Sequence, residues 1–301
     1  MLSLHTNAAA LSAQNSLGAS QRALSTSMAR LSTGLRVNSA MDDAAGLQIA
    51  TRLDAQTRGQ AVAQRNTQNG ISMMQTAEGA FNEVTDILLR MKDLATEGAN
   101  GTSTAADKTA MQAEFDALGR ELKNIVDNTS FGGQKLFATG STAAVVTGST
   151  NMLASGTGVS FQIGSTASES MSVNVSTDLA ALTSDAGTLG AVSATYKTTA
   201  TAASVGTEVG VAATITNLNT ALDSVGKVRS ALGAASNRLD HVYNNLQNMS
   251  TNVAQARGRI MDVDYATETS KMTTKQMLMQ AGSSMLKQSN SMSGLVMSLL
   301  Q

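Results

Sequence analysis

Two pairs of neighbouring carboxylates are the residues best suited by type to metal or acid–base chemistry. Asp42 and Asp43 are adjacent, and Asp262 and Asp264 are separated by one residue. Carboxylates bind hard cations and act as general acids or bases. They also favour helix N-termini, where they accept hydrogen bonds from free backbone N–H groups. Both pairs stand at predicted helix breaks, so we interpret them as helix caps and expect neither a metal site nor a catalytic site.

The other residues that could do chemistry do not form a recognisable set. His5 and His241 are the only histidines, they are far apart, and the chain has no cysteine. A zinc site or a nucleophilic triad would need further partners. The glycine motifs of phosphate-binding loops, dinucleotide sites and serine hydrolases do not occur. We therefore expect no enzymatic activity and no cofactor, and we place His241 on a helix surface.

Methionines are frequent near the C-terminus and could in principle bind a soft metal. We favour adaptable packing at contacts between subunits, because methionine is flexible and fills irregular apolar gaps. The residues concerned are Met272, Met277, Met279, Met285, Met292 and Met297.

The composition narrows the class of protein. With 21 basic and 22 acidic side chains, the chain has no excess positive charge for binding nucleic acid. It has no apolar stretch of about 18 residues, so we expect no membrane insertion. The absence of proline and an aromatic content of 3% suit long helices packed along narrow seams. The first arginine is Arg22, so the N-terminus lacks the positive start of a cleaved secretion signal.

The elements that must position these residues are helices with a 3.5-residue apolar period. Between Leu218 and Val263, apolar residues recur at alternating spacings of three and four, which predicts one long coiled-coil helix. This seam includes Leu232, Leu239, Val242, Leu246, Met249, Val253 and Ile260. Two further seams consist of Met74, Ala77, Phe81, Val84, Leu88, Met91 and Ala95, and of Met111, Phe115, Leu118, Leu122 and Ile125. Gly, Ser and Thr residues at 97–103 predict a tight connection between these two helices.

The central segment has a different pattern. Apolar residues alternate at 159–163 and again at 171–175, which predicts a β-hairpin with a loop at 164–170. We interpret 138–158 and 176–213 as loops and short irregular elements, with partial disorder as the alternative.

The two ends of the chain are amphipathic but carry few charges. A solvated helix normally has charged residues on its outer face, whereas Lys287 is the only charged residue after Lys275. We expect residues 1–40 and 264–301 to be packed on several sides by other copies, and to fray when isolated.

Two motifs near the ends resemble the signatures of bacterial flagellins. The N-terminal motif comprises Arg30–Ala40 and Asp42–Ala50, and the C-terminal motif comprises Ala256–Ile260, Asp262 and Asp264–Glu268. Residues Asn128–Phe137 are similar to the segment that follows the family's second long core helix.

The resemblance implies a mainly α fold: a long antiparallel coiled-coil or helical-bundle rod with a small central β-hairpin, in which the N- and C-termini pair. It implies an inner coiled coil of 1–40 with 264–301 and a middle domain of 41–137, 159–175 and 218–263. Residues 138–158 and 176–217 would be short variable surface segments, without a large outer domain.

The implied function is that of a structural subunit that polymerises into the extracellular flagellar filament for swimming motility, after export through the flagellar type III apparatus. Implied partners are other copies of the chain, an export chaperone, the filament cap and hook–filament junction proteins, and host flagellin receptors. The chaperone segment would be 265–301, including Tyr265, Met285 and Leu299. A hook–filament junction protein and a secreted coiled-coil effector are the alternatives.

The resemblance also implies two receptor surfaces. Arg90, Leu94 and Glu114 match the surface read by animal receptors, and we expect all three to lie off the helix seams. The epitope read by plant receptors would include Arg30, Ser32, Gly34, Arg36, Asn38, Asp42, Asp43 and Gly46.

Overall fold

The computed structural model describes residues 7–137, 152–153, 156, 158–183, 187–196 and 208–299, without the side chains of Ala9 and 292–299. His5, residues 138–151 and the side chains of Met292, Met297 and Leu299 therefore lie outside the described part. The helices are α1 (Ala8–Thr33), α2 (Ala44–Gly98), α3 (Ala105–Asn128), α4 (Ser176–Thr183), α5 (Thr188–Val192), α6 (Ala212–Met261) and α7 (Tyr265–Leu299). The strands are β1 (Ser130–Phe131), β2 (Gln134–Lys135), β3 (Val159–Gln162) and β4 (Ser170–Val173).

The predicted mainly α fold with a small central hairpin is confirmed. The chain forms two compact units, one from the residues up to Thr57 and from Thr251 onward, the other from 58–250. These limits fall inside α2 and α6, and the division into inner and middle domains stays a prediction. No described helix is both long and apolar enough to cross a membrane.

The core of the 58–250 unit is built on the seams of α2 and α6. All seven seam residues of α2 from Met74 to Ala95 are at most 1% exposed. On α6, the seam from Leu218 to Leu239 is buried as well. Burial of the apolar side chains along a seam is the main source of stability for a helix in a folded protein, because the intrinsic helix propensity of the residues contributes little.

The predicted connection between α2 and α3 is present. The helix α2 ends at Gly98, and α3 begins after Thr104 with a capping box. The backbone N–H of Asp107 donates to the Thr104 hydroxyl at 3.3 Å, and the Asp107 carboxylate accepts from the Thr104 N–H at 3.0 Å. This reciprocal pair satisfies donors that the first helical turn leaves free.

The β-hairpin forms as predicted. Strands β3 and β4 pair antiparallel, with Val159 opposite Val173 and Phe161 opposite Met171. Met171 and Val173 are 5% exposed, so one face of the hairpin lies on the helical core. A second, two-residue hairpin of β1 and β2 was not predicted.

The interpretation of 176–217 as surface is wrong for its described central part. Helices α4 and α5 and the 3-10 turn Ala194–Tyr196 contribute large side chains that are at most 1% exposed: Leu179, Leu182, Leu189, Val192 and Tyr196. The apolar residues of α4 and α5 are spaced by three, which places them on one face of each short helix.

The buried face of α3 also differs from the predicted seam. Its buried residues are Gln112, Phe115, Gly119, Leu122 and Val126, whereas Met111, Leu118 and Ile125 are only partly buried. The face is rotated because α3 also packs against Ser193 and Thr195 and against Val209. Gln112 accepts a hydrogen bond from the backbone N–H of Val209 at 2.8 Å, so its burial is compensated.

In the other unit, α1 and α7 pair antiparallel. The Asn7 side chain donates to the Ser289 carbonyl at 3.3 Å, and the Ser27 hydroxyl donates to Glu268 at 2.6 Å. Glu268 is 4% exposed, so this bond satisfies a buried carboxylate. The N- and C-terminal helices therefore pair, as predicted.

Candidate interaction surfaces

The two sequence motifs near the chain ends meet in space. Leu35 and Asp262 form an isolated antiparallel bridge. The Arg36 N–H donates to the Met261 carbonyl at 2.6 Å, and the Val263 N–H donates to the Gly34 carbonyl at 3.0 Å. The two motifs thus form one structural site that joins the ends of α1 and α6.

Gly34 ends α1 in a conformation that other residues rarely adopt. Its φ is +73°, and its N–H donates to the Arg30 carbonyl at 2.9 Å. A Cβ at this position would lie 3.0 Å from the Tyr265 hydroxyl. Both the left-handed backbone and the close approach of Tyr265 require glycine here.

Asp42 organises the exposed turn between α1 and α2. It accepts hydrogen bonds from the backbone N–H groups of Asn38 and Ser39 at 3.1 and 3.0 Å. These bonds, with the Arg30 guanidinium 3.4 Å away, hold the pKa of Asp42 below its ordinary value. Asp43 accepts from the Gly46 N–H at 2.8 Å at the start of α2.

Asp264 caps α7 in the same way. Its carboxylate accepts from the Thr267 hydroxyl at 2.6 Å and from the Ala266 N–H at 3.0 Å. These bonds lower the pKa of Asp264. Asp42, Asp43 and Asp264 are therefore turn or helix-cap acceptors, whereas Asp262 takes part through its backbone. No cluster of potential metal ligands occurs among the described residues.

The residues predicted for the plant-receptor epitope lie near this junction. Ser32, Arg36 and Asn38 are exposed, whereas Gly46 is buried. The Arg36 guanidinium donates to the Ile260 carbonyl at 2.8 Å, so it is held by the partner motif.

Arg90 and Glu114 form a surface ion pair between α2 and α3. Their closest N–O distance is 2.6 Å, and the Arg90 Nε donates to the same carboxylate oxygen at 2.8 Å. The two side chains are 52% and 46% exposed. The Glu114 hydrogen bond raises the pKa of Arg90.

Leu94 does not share the exposed surface of Arg90 and Glu114. The expectation that it lies off the packed face of α2 is therefore wrong. It is 2% exposed and belongs to the core of the 58–250 unit. The seam Leu88–Met91–Ala95 marks only one packed face of α2. Near its C-terminal end, α2 is also covered by 208–211, since a Cβ on Gly98 would overlap Val209.

Comparisons with known proteins agree with the two motifs. The family described as "Bacterial flagellin N-terminal helical region" matches residues 4–142, and "Bacterial flagellin C-terminal helical region" matches residues 215–300. The chain belongs to the bacterial flagellin family. It is a structural subunit of the flagellar filament, which is extracellular, and the matches do not favour the junction-protein or effector alternatives.

Flagellins of two Vibrio species are among the similar proteins. Flagellin A of Vibrio anguillarum is 36% identical over 379 aligned positions that cover 100% of both chains. Polar flagellin C of Vibrio parahaemolyticus is 35% identical over 382 positions, again covering 100% of both. The crystal structure of Bacillus cereus flagellin is 30% identical, covers 64% of this chain and 94% of its own, and gives a TM-score of 0.44.

The α7 helix of this flagellin-family chain carries exposed apolar residues at the predicted chaperone segment. Tyr265 is 56% exposed and Met285 is 68% exposed. His241, on α6, is also exposed, in agreement with its predicted place on a helix surface.

The α6 seam of this flagellin-family chain is less completely buried toward its C-terminal end. Leu232, Leu239 and Leu246 are at most 5% exposed, but Met249 is 37% exposed. Val242, Val253 and Ile260 are half-buried. Met249 thus follows the spacing of the seam, but its side chain remains exposed in the single chain.

A buried polar stretch of α2 was missed by the sequence analysis. Gln60, Ala63 and Thr67 continue the α2 seam toward the N-terminus at spacings of three and four, and each is at most 1% exposed. The spacing is present in the sequence, but a search for periodic apolar residues does not include Gln60 and Thr67, because both are polar.

Proposed function

We propose that this flagellin acts without catalysis, by burying the exposed faces of α1 and α7 against other copies of itself. One observation carries the proposal: large apolar side chains stay exposed on these two paired helices. They are Leu11 (55%), Met28 (50%), Met277 (58%), Leu278 (48%) and Met285 (68%). Soluble monomers rarely leave such residues together, and exposed apolar surface of this kind marks sites of association.

The same α7 face would need a partner before assembly. We propose that an export chaperone covers 265–301 in the cell, that the chain leaves through the flagellar type III apparatus, and that cap and junction proteins contact it in the filament. An amphipathic helix laid into an apolar groove is a common mode of peptide recognition.

Replacement of two exposed methionines tests this surface. The double variant Met277→Ser with Met285→Ser should abolish seeded polymerisation and weaken chaperone binding. The two substitutions remove exposed apolar area of α7 that a second copy or the chaperone would bury. Gln276→Ser with Gln280→Ser is the matched control, as it places the same residue type at exposed positions of the same helix. Polymerisation of the methionine variant at wild-type rates would contradict the proposal. Deletion of 265–301 should abolish both chaperone binding and assembly.

Recognition by animal flagellin receptors is a second candidate function, supported by the Arg90–Glu114 pair. Arginine forms planar hydrogen-bonded contacts and is frequent at the centres of interfaces. Arg90→Ala in purified monomer should reduce receptor signalling. Arg120→Ala, at an exposed position of α3, is the control. An Arg90 variant that signals as strongly as the parent over a full dose series would refute this role.

A further inference from the structure

Gln60 is a buried amide without a partner. The residue is 1% exposed, and neither its Oε1 nor its Nε2 makes a hydrogen bond. Buried side-chain polar atoms are paired in the large majority of cases, because an unpaired group loses its hydration without compensation. Thr67 on the same seam shows the usual arrangement, since its hydroxyl donates to the Ala63 carbonyl at 2.8 Å.

Beside Gln60 lies a small pocket at the turn of the β3–β4 hairpin. The turn is pressed against α2, since a Cβ on Gly59 would lie 2.6 Å from the Ser165 Cβ. The pocket has a volume of about 170 Å³. It is lined by Gln60, by the hairpin residues Ile163, Gly164, Ser165 and Glu169, and by the α6 residues Val242, Asn245, Leu246 and Met249. Gln60 has three rotatable side-chain torsions, so its amide can turn toward the space that it lines.

The volume of the pocket limits the kind of group that it can hold. Small-molecule sites usually measure about 300–1,000 Å³, so this pocket is too small for a typical ligand. A water takes about 30 Å³, so the space equals roughly six waters, or the non-hydrogen atoms of one medium-sized side chain. Its wall combines the amides of Gln60 and Asn245 and the carboxylate of Glu169 with apolar surface, and the exposed Met249 extends that apolar surface.

We propose that this pocket receives one side chain of a second copy of this chain, with an apolar stem and a polar tip that pairs with the Gln60 amide. The second copy is the occupant because the chain functions in a homopolymer, so the inference rests on the self-assembly described above. The unpaired amide and the uncovered Met249 are then two parts of one contact that is complete only in the filament.

Gln60→Met tests the proposal, because it keeps the length of the side chain and removes both polar atoms. The monomer should melt at the same or a higher temperature, since an unsatisfied buried group is lost. The critical concentration for seeded polymerisation should rise about tenfold, the factor for one lost hydrogen-bonded pair whose other member stays buried.

Thr67→Val is the matched control, since it removes a buried polar atom from the same seam at a residue that is 0% exposed and paired within its own helix. It should leave the critical concentration unchanged. An unchanged critical concentration in Gln60→Met would overturn the proposal and leave water as the occupant. A lower melting temperature in Gln60→Met would show an internal partner and overturn it as well. If the wild-type chain itself did not polymerise on seeds, the self-assembly function would fail first.

Discussion

Arg90 and Leu94 are one helical turn apart on α2, yet they have opposite environments. The Arg90 side chain is 52% exposed and paired with Glu114, whereas Leu94 is 2% exposed. A change in receptor signalling on mutation therefore has a different meaning at each position. A change in signalling on mutation of Arg90 would indicate a lost contact with the receptor. A change on mutation of Leu94 would indicate a loss of fold stability.

We expect Leu94→Ala to lower the free energy of unfolding of the monomer by about 2–5 kcal/mol, because it leaves a cavity in the core. Arg90→Ala should change it by no more than about 0.5 kcal/mol, as is usual at exposed positions. Urea unfolding followed by circular dichroism gives both values. A Leu94 variant as stable as the parent would place this residue at the surface after all.

Asp264 should make the N-terminus of α7 sensitive to acid. Its pKa is lowered in the folded state, so its stabilising contribution is present above the unfolded pKa of about 3.9 and is lost as the pH falls through the folded value. Asp264→Ala should therefore melt below the parent at pH 7, and the difference should shrink as the pH approaches 3. Thermal melts of filaments across this pH range measure the difference in melting temperature, because α7 is expected to fray in the isolated chain. A difference that did not depend on pH would exclude the carboxylate as its source.

At the scale of the element, the α6 seam gives the clearest test. Leu239→Asp places a charge at a position that is 0% exposed, which costs several kcal/mol when no partner is present. Polymerisation should fail and the melting temperature should fall steeply. Asn237→Asp, exposed two residues earlier, adds the same charge and should be mild. Equal effects of the two variants would mean that the seam is assigned to the wrong face.

The long helices could be predicted because their buried faces repeat over many turns. The α2 and α6 seams each persist through seven or more apolar positions, and few other patterns produce that period. Helices α4 and α5 span 8 and 5 residues, which is too short for a period to be distinguished from chance. The true face of α3 was missed because two of its buried positions are Gln112 and Gly119, which an apolar pattern does not register.

The candidate interaction surfaces could be predicted from sequence patterns to a smaller extent than the long helices. The Arg90–Glu114 pair depends on how α2 and α3 are aligned, and spacing within one helix carries no information on that alignment. These residues came from the family resemblance. The burial of Leu94 was missed because a seam identifies only one packed face of a helix. Near its C-terminal end α2 is packed on a further side, where Val209 lies against Gly98.

For the whole molecule, we expect the two units to differ in resistance to protease. The α1–α7 pair leaves large apolar residues exposed and rests on two helices, whereas the 58–250 unit has an extended core of at least thirty buried or partly buried side chains. Limited proteolysis of the monomer should trim 1–40 and 264–301 first and spare 42–263, because locally open segments are cut before packed ones. In filaments, the same ends should be protected. Ends that resist cleavage in the monomer would show that they are fully ordered before assembly.

The bond between Asn7 and Ser289 joins residues that are 282 positions apart in the chain. Closing a loop of that length costs about 5 kcal/mol of entropy for a random chain, so this pairing is a poor starting point for folding. Gln60 and Met249 line the same pocket, so once 58–250 has folded, the loop that remains to be closed is far shorter. From this loop entropy we expect the middle of the sequence to fold first and α1 and α7 to pair last. If the chain is exported unfolded, as the flagellin resemblance implies, we expect a subunit to complete its fold only after α7 has arrived.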